Sequence, residues 1–287
     1  MYKTMKEVTD IAERLNMTIG AFNMHNLEML PDMIRAAEEM GAPIIIQTSI
    51  DTAKYIGYSV VVAVVKELAN NSLVDVALHL DHARDFGAIK DAIAAGYSSI
   101  MFDGSNLPFK ENIEKTRLVV EYAHARGVSV EGELGTIGGT EEGISVDEGD
   151  KVYTRPEDAI VFVRETGVDA LAVGIGTNHG QFKSKTDVQV PLLKEIHSAV
   201  DVPLVIHGGT GVKEEDYPEL INNGIRKFNV GTELLVNWTQ EAKNAFTETA
   251  VNKSLRYNVI PANQKVKEIV KNKISLFMNT QESLNNK

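Results

Sequence analysis

Eight short runs rich in β-branched residues recur along the chain, each followed by a stretch with helical periodicity. The runs are 18–23 (TIGAFN), 43–48 (PIIIQT), 75–80 (DVALHL), 98–102 (SSIMF), 128–132 (VSVEG), 168–174 (VDALAVG), 202–206 (VPLVI) and 226–230 (RKFNV). Between them lie helical patterns at 27–40, 57–70, 84–95, 109–126, 156–166, 189–199, 213–223 and 233–249, with a final helix near 262–278. Strands that alternate with helices pair in parallel, because each helix carries the chain back across the sheet. Eight such units imply an α/β fold, a (β/α)8 or TIM barrel, with an additional C-terminal helix. A barrel of about 250 residues accounts for most of the 287 present. One domain over 1–279 is expected, followed by a polar, disordered tail at 280–287 (TQESLNNK).

Such barrels assemble their sites from the loops at the C-terminal ends of the strands. Asn23, Ser49, Asp81, His82, Asp103, Glu133, His179, His207 and Asn229 each fall at or just after a predicted strand end. Any one of them could be an ordinary turn residue or helix cap. Scattered surface polarity, however, has no reason to choose one edge so often.

Three of these residues are histidines, in LHLDH (His82), IGTNHG (His179) and VIHGG (His207). Three nitrogen donors with a fourth position left open suit a catalytic zinc ion. With no cysteine in the chain, disulfides, thiolate metal sites and a cysteine nucleophile are excluded, so a metal must be held by His, Asp or Glu. Asp81 would place a carboxylate beside the open position, and the glycines after His179 and His207 leave backbone N–H groups able to approach an anion. Strand alternation puts positions 79 and 81 on one face and 82 on the other, unless the strand turns at its end. His79 is therefore read as packing or support, despite its H-x-x-H spacing with His82.

A net charge of -11 and a pI near 5.2 argue against a nucleic-acid backbone or an anionic membrane as partner. The first twenty residues contain no apolar run of signal-peptide length, and nowhere do about 18 apolar residues follow one another, so a cytoplasmic location is expected. Residues 136–153 form a long, acidic, Gly-rich stretch, the character of a lid or a disordered loop.

LHLDH (78–82), FDGSNLPFKENI (102–113), VEGELGTIGG (130–139), LAVGIGTNHG (171–180), VIHGGTG (205–211) and FNVGTEL (228–234) together resemble the motif series of class II, zinc-dependent ketose-bisphosphate aldolases. The similarity runs in order from about Ala21 to Phe277. It implies Zn2+ or another divalent metal on His82, His179 and His207, with room for a monovalent cation near the phosphate site. It implies Asp81 as the acid/base at the C4 hydroxyl, and Asp103 and Glu133 as residues that reach a displaced metal, supported by Glu131. Glu141 matches the lid carboxylate that moves the proton at C3 of dihydroxyacetone phosphate, although Thr140 stands where a second glutamate is common.

For the substrate, the resemblance implies Gly180, Lys183, Gly208, Gly209, Thr210, Gly231 and Thr232 around one phosphate. It matches Asn229 to a residue near the reacting carbons and Arg256, in Ser254-Leu255-Arg256, to one at a second phosphate, while Asn23 and Ser49 are substrate-binding candidates from their strand-end positions. Thr210 replaces the more usual serine, and Asn106 and Leu107 replace a more polar pair.

The implied reaction is reversible cleavage of a ketose 1,6-bisphosphate, fructose 1,6-bisphosphate first, to dihydroxyacetone phosphate and an aldehyde, as in glycolysis. Cleavage between C3 and C4 leaves negative charge on the C2 oxygen of an enediolate, which a Lewis acid stabilises. Tagatose-bisphosphate and deoxy-ketogluconate-phosphate cleavage are alternatives. The family also implies a homodimer or homotetramer.

Other classes fit less well. A metal-dependent barrel hydrolase usually has paired histidines ending strand one, but here GAFNMHN offers only His25. A non-catalytic sugar-phosphate sensor has no need of Asp81 and three histidines together. A Schiff-base aldolase needs a lysine that VDALAVG lacks, and Lys227 opens strand eight rather than closing it.

Overall fold

The computed structural model describes residues 1–136, 138–141, 144–146, 152–179, 188–209, 212–248, 250 and 253–278. In chain order they form β1 (Tyr2–Lys3), α1 (Met5–Leu15), β2 (Ile19–Asn23), α2 (Leu30–Met40), β3 (Ile44–Thr48), α3 (Ile50–Ile56), α4 (Tyr58–Asn70), β4 (Val76–Ala83), α5 (Phe86–Ala95), β5 (Ser99–Phe102) and α6 (Phe109–His124). They continue with β6 (Ser129–Leu134), β7 (Gly138–Glu141), β8 (Ile144–Val146), α7 (Pro156–Thr166), β9 (Ala170–Val173), β10 (Asn178–His179), α8 (Val190–Ala199), β11 (Leu204–Ile206), α9 (Tyr217–Asn222), β12 (Ile225–Val230), α10 (Thr232–Glu248) and α11 (Arg256–Phe277).

Parallel pairing runs β4-β3-β2-β12-β11-β9-β6-β5, and β5 returns to β4, which closes an eight-stranded barrel. The expected (β/α)8 architecture is thus present. Its strands are buried on both faces, as a parallel sheet between a lumen and a helical shell requires. No helix among the described residues is long and apolar enough to cross a membrane.

Several elements depart from the sequence expectation: the helix α3 and the short strands β1, β7, β8 and β10 lie outside the expected units, and α1 and the last helix differ most. The helix α1 precedes the barrel and was not foreseen, although Thr4 and Glu7 form a capping box at its start and Asn16 closes it in the left-handed conformation. It buries Met5, Val8, Thr9 and Ala12 against the core. The last helix begins at Arg256 rather than near 262 and continues through Pro261. It packs on α2 and α10, and Phe277 at its end stacks near Phe228 and Tyr217 at centroid separations of 5.1 and 5.6 Å. The expected tail at 280–287 lies outside the described residues.

Two polar contacts reveal what fills the lumen. Lys227 on β12 meets Glu131 on β6, and His207 after β11 meets His82 on β4, although neither pair belongs to neighbouring strands. Such contacts must cross the barrel interior. Because side chains alternate along a strand, Glu131 and Glu133 share the lumen face of β6, as do Lys227 and Asn229 on β12.

Candidate active site

Asp81 sits near the C-terminal end of β4 and is 2% exposed. Three side-chain amides donate to its carboxylate. Asn23 Nδ2 and Gln47 Nε2 reach Oδ2 at 3.1 and 2.9 Å, and Asn229 Nδ2 reaches Oδ1 at 3.1 Å. Gln47 also donates to Asn23 Oδ1 at 2.7 Å, tying the donors to one another. The carboxylate is therefore held from β2, β3 and β12 at once.

His82 follows, and regular alternation would turn it away from the lumen. Instead its φ is +47°, in the left-handed region, and the pairing of β4 with β5 shifts register between Leu80 and Ala83. A bulge of this kind re-aims a side chain at the cost of local strain. The ring consequently faces His207, with Nε2 2.8 Å from His207 Nδ1 and the two planes nearly perpendicular at 80°.

His207 is fully buried, and its Nε2 lies 2.6 Å from Glu131 Oε1. A carboxylate can only accept when ionised, so this contact places the proton on Nε2 and leaves the Nδ1 lone pair toward His82. Burial, and then the nearby His82, lower the His207 pKa. Burial alone would raise Glu131, but the Lys227 ammonium at 2.8 Å and His207 hold it well below the usual carboxylate range.

On the far side of His82 stand Asp103 and Glu133, whose oxygens lie 3.5 and 3.9 Å from Nδ1. Asp103 also meets Arg84 at 2.6 Å and Ser105 Oγ at 2.6 Å. Against the upward push of burial, His82, Ser105 and Arg84 hold Asp103 well below the ordinary range. Glu133 goes the other way, raised well above it by burial and by the neighbouring Asp103. Among the described residues, its Oε2 is buried with no hydrogen-bond partner.

This chemistry fits a divalent cation. Two donor groups, Asp81/His82/His207 and His82/Asp103/Glu133, each gather ligand atoms within 4.8 Å of one another. Facing imidazole nitrogens, one carrying a carboxylate behind it, are the usual form of a histidine metal site. The orphaned Glu133 oxygen is a further ligand of the right kind.

The remaining sequence candidates distribute as follows. Gly208 adopts φ +63°, and a Cβ on Gly209 would come within 1.9 Å of the Phe228 ring, so both positions demand glycine. Gly231 lies against Asn23, and Thr232 opens α10. Ser49 caps α3, accepting from Thr52 N at 3.1 Å, which is the ordinary role open to it. His179 enters as a backbone position on β10, paired with Gly139 of β7 and not with a barrel strand. Glu141 likewise enters as the end of β7, opposite Ile144. Gly180, Lys183 and Thr210 lie outside the described residues. Arg256 is exposed at the start of α11, with Ser254 and the Tyr257 ring as its recorded partners.

Three residues at the site went unassigned in the sequence reading. Gln47 precedes the last residue of its strand, so attention to strand ends passed over it. Arg84 was hidden by its place after the LHLDH motif. Lys227 has a sequence position that suggests only a Schiff-base lysine at the wrong end of its strand, yet it lies fully buried in the lumen.

The chain matches the family model for Fructose-bisphosphate aldolase class-II over residues 3–282. A sulfofructosephosphate aldolase from Alkalicoccus urumqiensis is 38% identical over 276 residues, covering 96% of both chains. The solved structure of the YdjI aldolase from Escherichia coli K12 is similar with a TM-score of 0.84 at 33% identity, covering 98% of this chain and 99% of that one. Fructose-bisphosphate aldolase from Campylobacter jejuni shares the fold, with a TM-score of 0.80 at 23% identity over 96% and 95% of the two chains. With the match running through every barrel strand, the chain belongs to the class II fructose-bisphosphate aldolase family and is an aldolase, a lyase of carbon–carbon bonds.

Proposed function

We propose that the protein catalyses zinc-dependent, reversible cleavage of a ketose 1,6-bisphosphate, with fructose 1,6-bisphosphate as the first reading, to dihydroxyacetone phosphate and an aldehyde. The observation that carries this reading is Asp81, gripped by three amides beside the facing nitrogens of His82 and His207. His82, His179 and His207 would hold the ion, which when bound supplies a Lewis acid for charge developing on the substrate's C2 oxygen.

Asp81 takes the C4 hydroxyl proton in cleavage and returns it to the aldehyde oxygen in condensation. Its three donors fix where that proton is received, which is what a positioned acid/base requires. Asn229, which touches both Asp81 and His207, stands where it can orient the reacting carbons. Glu141 exchanges the proton at C3. Gly208, Gly209, Gly231 and Thr232, with Gly180, Lys183 and Thr210, present N–H groups and a positive charge to the proximal phosphate, near which a monovalent cation can sit. Asp103 and Glu133 flank His82 as ligands for a displaced ion.

A second reading has one specific support: a relative at 38% identity is named for sulfofructosephosphate. Both substrates carry a distal acid, which we assign to Arg256, with Asn23 and Ser49 as further substrate contacts. A panel of fructose 1,6-bisphosphate, tagatose 1,6-bisphosphate, sulfofructose phosphate and a deoxy-ketogluconate phosphate, read by release of dihydroxyacetone phosphate, separates the readings. Release from none of them would overturn the proposal. A charged hydrogen bond contributes about 1.5–3 kcal/mol, so Arg256→Ala should lower kcat/KM for the best panel substrate about 10- to 150-fold and leave dihydroxyacetone phosphate affinity unchanged.

We also read the barrel with α11 as one domain over 1–279, working in the cytoplasm as a homodimer or homotetramer in glycolysis or a related sugar-phosphate route. Size-exclusion chromatography with light scattering tests the assembly.

A further inference from the structure

Lys227 is an unusual residue to find in the lumen of a barrel. It is 0% exposed, and an ammonium group so far from water is costly unless it is paired and hydrogen-bonded. Among the described residues its Nζ has two partners, an ion pair to Glu131 Oε2 at 2.8 Å and a hydrogen bond to Asn229 Oδ1 at 2.7 Å. Each partner carries the contact onward. Glu131 Oε1 lies 2.6 Å from His207 Nε2, while Asn229 Nδ2 lies 3.1 Å from both Asp81 Oδ1 and His207 Nδ1.

The direction of these bonds is dictated by the lysine. An ammonium only donates, so the Asn229 oxygen must turn toward it and the amide NH2 must turn toward Asp81 and His207. Without that constraint the amide could rotate and present its oxygen to the Asp81 carboxylate, acceptor against acceptor. Glu131 depends on the same group. His79 is 3.7 Å away and makes no hydrogen bond to it, and among the described residues Lys227 is the only cation other than an imidazole within ion-pair distance of Glu131.

We propose that Lys227 is a positioning residue for the aldol reaction: from the barrel axis it fixes the His207 ring through Glu131 and the Asp81 carboxylate through Asn229. It touches no substrate. This rests on the reading of His82, His179 and His207 as a zinc site and of Asp81 as the acid/base.

The test uses the whole chain in two variants, Lys227→Met and Lys227→Met combined with Glu131→Gln. The second removes the unpaired carboxylate that the first leaves buried, so it decides the matter should the single variant fail to fold. Zinc affinity is measured by competition with a chromogenic chelator, and the ligand field by the visible spectrum after cobalt substitution. Both variants should bind zinc about 10- to 100-fold more weakly, as when a histidine ligand loses its supporting partner. The cobalt bands should shift, and kcat should fall while KM stays within about twofold. A folded double variant with the parent's zinc affinity, cobalt spectrum and kcat would reduce Lys227 to a counter-ion and overturn the proposal. A parent chain that takes up no zinc would overturn the metal reading instead, an outcome recognisable before any variant is made.

Discussion

The two sides of the facing histidines are built on opposite plans. Behind His207 lies a closed side: His207, Glu131 and Lys227 are fully buried, and the charge of Glu131 is matched by lysine. Behind His82 lies an open side, where the ring is 17% exposed and Asp103 draws on Arg84, itself 34% exposed. Glu131 and Glu133 sit two residues apart on one strand and are equally buried, yet one carboxyl is held low and the other pushed high. Burial is common to both, so the difference lies in the partner. On the closed side the Glu131 Oε2 charge meets the Lys227 ammonium at 2.8 Å, whereas among the described residues the Glu133 Oε2 atom on the open side has His82 at 3.9 Å and no hydrogen bond, a deficit that a cation would relieve.

The sharpest way to break this contrast is to remove the anchor of the closed side. His207→Ala should lose stoichiometric zinc and roughly three or more orders of magnitude in turnover, at about 1.4 kcal/mol per tenfold. Retention of zinc in that variant, measured by elemental analysis, would show that the open side holds the ion alone. Exhaustive chelation of the parent should abolish activity to the same degree.

Asp81 belongs to neither side, and its variant should separate chemistry from metal binding. Asp81→Ala is expected to keep zinc and bind substrate while losing about 10²–10⁴-fold in kcat, the usual worth of a positioned acid or base. Should turnover stay near normal, Asp81 would only orient its neighbours.

Arg84 tests the open side more gently. Partly exposed ion pairs contribute little, so Arg84→Met should weaken zinc binding only about two- to fivefold. An effect as large as that of Lys227→Met would erase the distinction between the sides.

The smallest effect concerns pH in the metal-stripped protein. The folded pKa of Glu133 is raised, so its contribution to stability is fully present below the unfolded value of about 4.3 and is lost as pH rises through the folded pKa. Glutamine does not titrate. Glu133→Gln should therefore raise the Tm of the stripped protein near pH 8, by about 2–4 °C for each kcal/mol relieved, and give no gain near pH 4. Glu131 has the opposite sign: its stabilisation is present above about pH 4.3 and disappears as pH falls through its depressed pKa.

Much of this was legible in the sequence because parallel strands and their helices announce themselves by period and spacing. All eight barrel strands lie where the β-branched runs put them, and Asp81, His82, His207 and Asn229 do converge. What the letters could not convey is local irregularity and distance. The period-two rule turned His82 away from Asp81, since it assumes an unbroken pleat and a bulge carries no fixed residue signature. The lumen partners of Glu131 were invisible for another reason: β6 and β12 meet only once the sheet closes on itself. α1 is a different case, because its capping box stood in plain view but lay outside the repeating units.

The left-handed backbone at His82 bears on any attempt to move this site into another protein. A designer who grafts the letters Asp-His onto a regular strand of a foreign barrel would deliver the carboxylate to the lumen and send the imidazole outward into the helical shell. The transferable unit is the extra residue in the strand together with the neighbours that tolerate its conformation. Sequence searches that score the motif alone will accept scaffolds that cannot form the cluster, and a screen on backbone geometry at that one position would reject them before any side chain is chosen.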